Sequence, residues 1–123
     1  MSQENLKDLF NSLDELSELD EFELNKKYTK DKIEKLAMLA YEILGNNVDY
    51  TNISKQDFIS LVYKLREEKR RWSRELSKTI ISETGKAKQN DIESAKKILM
   101  DFLNNCPSPY YKSIAENRLN YYL

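Results

Sequence analysis

Residues 54–84 read SKQDFISLVYKLREEKRRWSRELSKTIISET, and the way this stretch repeats decides the fold class. Phe58, Leu61, Val62, Leu65, Trp72, Leu76 and Ile80 recur at spacings of three and four, the period of one helix face. Ser54 and Asp57 resemble a capping box with Asp in the place of Glu or Gln, and Ile53 and Phe58 occupy the positions of a hydrophobic staple. Unbroken to Thr84, such a helix rises about 45 Å at ~1.5 Å per residue. Lys69 interrupts its apolar stripe near the middle, where it either snorkels to the edge or marks a bend.

Working outward, the remaining segments repeat the helical pattern. Leu6, Leu9, Phe10, Leu13 and Leu16 fall within an arc of about 120° on an ideal wheel, which predicts an amphipathic helix ending near Leu19. A second helix is expected from Lys30 to Leu44, with Thr29 as N-cap and Gly45 in the left-handed position after its end. Its buried stripe reads Ile33, Leu36, Ala37, Ala40, Ile43 and Leu44. GKAKQN, residues 85–90, is expected to end the long helix, and Asn90 with Glu93 to cap the next one, buried through Ile92, Ala95, Leu99, Phe102 and Leu103. CPSP, residues 106–109, separates that helix from a last one, with Ser108 as N-cap and Pro109 at its first position. The last helix should face inward through Tyr111, Ile114, Ala115, Arg118, Leu119 and Tyr122.

The expectation is an all-α single domain over residues 1–123, a bundle of about five helices with one long central member. Its 123 residues, 40% hydrophobic and 33% charged with two Gly and two Pro, are enough for one folded core. No apolar run approaches the ~18 residues needed to span a bilayer, and the acidic beginning of the chain has the wrong chemistry for a secretory or transit peptide. With Cys106 the single cysteine, no internal disulfide can form, and cytoplasm is the expected location.

The same composition removes most catalytic chemistry. The chain has no histidine, so the usual general base, the commonest zinc ligand and every Ser-His or Cys-His pair are missing. The two glycines, Gly45 and Gly85, cannot form a phosphate-binding loop. The acids fall on solvent faces rather than on inward stripes, so neither an enzyme nor a cofactor nor a metal site is expected. Cys106, before a proline at a helix end, reads as a small, semi-buried packing residue.

Net charge is −1 but unevenly spread. Residues 1–24 hold eight acids and one base, and NSLDELSELDEFEL, residues 11–24, holds Asp14, Glu15, Glu18, Asp20, Glu21 and Glu23 with no base. Asp20, Glu21 and Glu23 are expected beyond the end of the first helix, where the helix dipole disfavours acids. That expense suggests a docking surface for a basic partner, steered by complementary charge. Residues 64–78 hold seven bases and three acids, with Arg66, Arg70, Arg74 and Lys78 four apart in one row. Such a row beside Trp72 could bind phosphates. Against this stand the apolar stripe that claims Trp72, the Glu67–Arg71 spacing for an internal ion pair, and a sequence pI of about 5.6.

Taken together, an acidic, histidine-free helical domain with a charged docking face resembles the immunity proteins of bacterial contact-dependent growth inhibition, a class of polymorphic toxin system. The ending DFLNNCPSPYYKSIAENRLNYYL, residues 101–123, is similar to the closing helix pair of such domains. The resemblance implies a non-enzymatic inhibitor whose partner is a cognate toxin, basic and a nuclease, with its active-site cleft covered by the acidic surface. Two alternatives from other classes are a small phage or plasmid regulator binding nucleic acid through the Arg66–Lys78 row, and a helical scaffold or adaptor subunit. Direct nucleic-acid binding is the lesser reading, and no membrane partner is expected.

Overall fold

The computed structural model describes residues 3–123, which form six α-helices: α1 Gln3–Ser17, α2 Glu21–Lys26, α3 Lys30–Leu44, α4 Lys55–Lys88, α5 Ile92–Asn105 and α6 Pro109–Asn120. The chain is all-α, with no strand among the described residues. It divides into two compact units, residues 1–68 and 69–123. The 34-residue α4 is a single unbroken helix that contributes residues to both.

In the first unit α1 packs against α3. The apolar stripe of α1 buries Leu9, Phe10, Leu13 and Leu16. α3 starts on Thr29, whose side chain accepts from the Lys32 N–H, and ends on Gly45 at φ 72°. Only glycine takes that left-handed geometry without a Cβ penalty. The buried arc of α3 is Leu36, Leu39, Ala40 and Ile43. Leu39 was not expected in it, whereas Ile33, Ala37 and Leu44 are only half-buried. The inward direction therefore lies one step round the wheel from the centre of the apolar residues. α3 carries more apolar surface than one interface can cover.

α4 begins on Ser54, whose hydroxyl accepts from the Asp57 N–H at 3.1 Å. Phe58, Leu61, Val62 and Leu65 are buried in its first three turns. Tyr28 meets Phe58 edge-on at 5.5 Å and donates its hydroxyl hydrogen to the Ile53 carbonyl, fixing the connection that precedes α4.

In the second unit the core is Trp72, Leu76, Phe102, Cys106, Tyr111 and Ala115, with Trp72 edge-on to Phe102 at 6.0 Å. α4 continues past Gly85 to Lys88, which corrects its expected end at Thr84. A mid-helix glycine costs only about 1 kcal/mol relative to alanine. The stop comes at Asn90, at φ 61°. There the Asp91 N–H reaches Lys86 O at 2.9 Å and the Asn90 N–H reaches Ala87 O at 3.0 Å, a Schellman ending. Asp91 and not Asn90 therefore caps α5, its carboxylate accepting from the Ser94 N–H at 3.2 Å. Ser108, fully buried, caps α6 by accepting from the Tyr111 N–H. Cys106 is 2% exposed, more enclosed than its expected semi-buried state, and burial pushes its thiol up from the ordinary value. Lys69 is half-buried, and its carbonyl accepts from the Tyr111 hydroxyl at 3.2 Å.

Candidate docking surface

The acidic segment does not run off as an exit loop after α1. Asp20 is an N-cap: its carboxylate accepts from the Glu23 N–H at 2.8 Å, and Glu21 and Glu23 stand in the first turn of α2. Acids there are favoured by the helix dipole, so the expectation that these three sit where the dipole disfavours them is overturned. The Asp20-x-x-Glu23 spacing was a legible start signal. It was missed because a six-residue helix with one buried side chain, Leu24, leaves no apolar period to find.

Asp14 and Glu15 are different. Both are exposed in the last turn of α1, Glu18 follows one residue beyond the helix, and no basic residue occupies that turn. Each acid there costs the helix about 0.3–1 kcal/mol. One orphan carbonyl of this helix end is answered from α4, where Arg66 Nη1 donates to Ser17 O at 3.1 Å, and just beyond the helix the Tyr63 hydroxyl donates to Leu19 O at 3.0 Å. In α2, between Glu21 and Glu23, Phe22 is 67% exposed, with the Lys26 ammonium 4.6 Å from its ring centre. Of the six acidic candidates, Asp14, Glu15, Glu18, Asp20 and Glu21 are exposed and Glu23 half-buried, the last paired with Lys26 at 3.4 Å.

The basic row divides. Arg66 is half-buried, engaged with Ser17 O and 5.5 Å from the Tyr63 ring, which makes it a helix-end clamp rather than a phosphate ligand. Arg70, Arg74 and Lys78 are exposed, Lys78 lying 3.7 Å from Glu75. Trp72 is 7% exposed with the Arg71 guanidinium over its ring at 4.8 Å, so no base can stack on it.

The first unit also carries clefts beside α3. Residues 46–51 fold beside the outward side of α3 and enclose a cleft of ≈ 400 Å³ lined by Tyr28, Ile33, Ala37, Val48 and Tyr50. Asp49 stands at its rim, held below its ordinary carboxyl range by the hydroxyl and the N–H of Thr51, at 2.5 and 2.9 Å. The surplus of apolar positions on α3 was the available signal for this surface.

Among the described residues no group of three or more Cys, Asp or Glu side chains is placed to hold a metal ion, and no helix is long and apolar enough to cross a membrane. Comparison with protein-family models, with curated proteins and with solved structures finds no match to this chain. Fold and surface thus define an all-α protein with exposed acids on α1 and α2 and clefts beside α3.

Proposed function

We propose that this chain is a non-enzymatic, protein-binding inhibitor, an immunity protein of the cytoplasm that neutralises a cognate toxin domain by covering a basic active-site cleft of the kind nucleases use. The observation that carries this reading is the placing of Asp14 and Glu15 in the last turn of α1, with Glu18 just beyond. Acids at the C-terminal end of a helix run against its dipole. A basic partner would turn that cost into fast, selective capture, and exposed Phe22 supplies an apolar anchor among the charges. The absence of histidine from the sequence supports a binding role over a catalytic one.

Affinity capture from the native host, with and without nuclease treatment, tests the proposal. A stoichiometric basic protein that survives nuclease, and is lost when Asp14, Glu15, Glu18, Asp20, Glu21 and Glu23 are replaced by Ser, supports it. Nucleic acid alone, released by nuclease, would move the function to exposed Arg70, Arg74 and Lys78 of α4. Light scattering that finds a self-assembled oligomer and no partner would favour a scaffold subunit.

A further inference from the structure

The side of α3 that faces residues 46–51 exposes large apolar side chains among its charges. On a wheel of ~100° per residue the buried arc of Leu36, Leu39, Ala40 and Ile43 passes into Ile33, Leu44 and Ala37, and beyond these Tyr41 and Met38 stand among Lys30 and Glu34. A helix that is apolar this far round is normally covered on both sides. Here Met38, Tyr41 and Val48 remain 48%, 43% and 52% exposed. Three clefts run along this side and share their walls. Ala37 and Val48 line both the ≈ 400 Å³ cleft and a neighbour of ≈ 330 Å³, and Met38 joins that neighbour to a third of ≈ 410 Å³ against α1.

The charges at the rim select the occupant. Asp8, Asp31, Glu34, Glu42 and Asp49 border these clefts, against Lys30 and Lys35. Lys35 is itself 3.3 Å from Asp31. Glu34 lines two of the clefts and is exposed. A nucleic acid or an acidic segment would meet like charge here. A segment with large aliphatic or aromatic side chains next to Lys or Arg would meet apolar walls and opposite charge at once.

We propose that the groove along α3 and residues 46–51 is a second docking site, taking a short amphipathic segment of a protein partner, one or two apolar anchors flanked by lysine or arginine. It rests on the reading of this chain as a protein-binding module, but does not require the partner to be a toxin. Its anchors fill the clefts on either side of the Ala37–Val48 wall, and its basic groups reach Glu34 and Asp49. The groove is separate in residues from the Asp14–Glu23 surface, so one partner could be gripped at two places.

The test is a titration of the full chain, followed by backbone amide shifts, with an amphipathic leucine–lysine helical peptide. Two control peptides carry Glu for every Lys, or Ser for every Leu. The expected result is saturable binding of the leucine–lysine peptide alone, with shifts concentrated in residues 33–41 and 46–51. Val48→Lys and Met38→Lys, both at exposed positions, should each weaken it roughly tenfold or more, through a lost apolar contact and a repelling charge. The variant with Ser at the six acidic positions of residues 14–23 should bind the peptide as before. Shifts centred on residues 14–24, equal binding of either control peptide, or self-association of the chain through Val48 and Met38 would overturn the proposal. Circular dichroism of each variant separates lost binding from lost folding. Because the readout is a synthetic peptide, a failed titration leaves host capture of a partner standing, and a failed capture leaves the titration standing.

Discussion

The Arg118 Nε hydrogen bonds to Glu83 Oε1 at 2.5 Å, across 35 residues of sequence, and closes the second unit around a carboxylate that is 1% exposed. The other Glu83 oxygen accepts from the Tyr122 hydroxyl at 2.5 Å, and Arg118 Nη2 donates to Thr84 Oγ1 at 3.2 Å. A buried charge is tolerable only when paired and hydrogen-bonded in this way. The network joins α4 to the C-terminal segment, so the end of α6 is held by polar contacts as well as by Ala115 and Tyr111.

Removing one partner should therefore cost more than removing both. Arg118→Leu leaves a buried carboxylate with one donor fewer and is expected to destabilise the chain by about 2 kcal/mol, less than the ~3–5 of a fully enclosed pair because a third of the Arg118 side chain meets solvent. The double change Glu83→Leu with Arg118→Leu should recover part of that loss. Urea unfolding of Arg118→Leu, Glu83→Leu and the double variant measures it, and a double variant less stable than Arg118→Leu would overturn the expectation.

The same carboxylate makes stability depend on pH. Burial pushes Glu83 up, but hydrogen bonds from Arg118 and Tyr122 and the Arg118 charge outweigh it, so its carboxyl lies below the ordinary value of 4.5. A carboxylate depressed on folding stabilises above its unfolded pKa, and that contribution drains away as pH falls through the folded value. Stability should thus decline from about pH 5 downward. Glu83→Gln should flatten this part of the profile, read as the melting temperature between pH 6 and pH 3. An unchanged slope would remove Glu83 as its source.

The acids of residues 14–23 should separate by their effect on folding. Asp20→Ala removes the α2 cap and is expected to cost about 1 kcal/mol. Glu15→Lys places a cation in the last turn of α1 and is expected to gain a few tenths of a kcal/mol while weakening capture of a basic partner. Thermal melts of both variants beside host capture give the comparison. A loss of stability in Glu15→Lys would mean that this carboxylate has a structural role.

The two glycines should respond in opposite directions. Gly85 lies inside α4 with open space where a Cβ would stand, so Gly85→Ala should stabilise by about 0.5–1 kcal/mol. Gly45, at φ 72°, ends α3 in the left-handed region, and Gly45→Ala should destabilise by about 1 kcal/mol. Thermal unfolding of both variants checks the pair.

Local pattern and local caps were enough for the class of fold and for most helix starts. Thr29, Ser54 and Ser108 cap where they are expected to, and Phe58 to Leu76 are buried along one stripe, because capping and helical period depend on residues within one or two turns. The long helix was legible for the same reason, and its end was not. Gly85 read as a stop is tolerated within α4, while Asn90, a less obvious signal, takes the left-handed turn. Tertiary structure alone decided what each charge is for. Arg66 turns from its row to the carbonyl of Ser17, 49 residues away, and Glu83 finds Arg118 at a separation of 35. Tertiary packing also chose which of the many apolar positions of α3 to bury, since an interface covers one arc of a helix however much apolar surface the helix presents. The apolar residues left over, Ile33, Ala37, Met38 and Tyr41, line clefts beside residues 46–51, and no periodicity in the sequence specifies where a loop will lie.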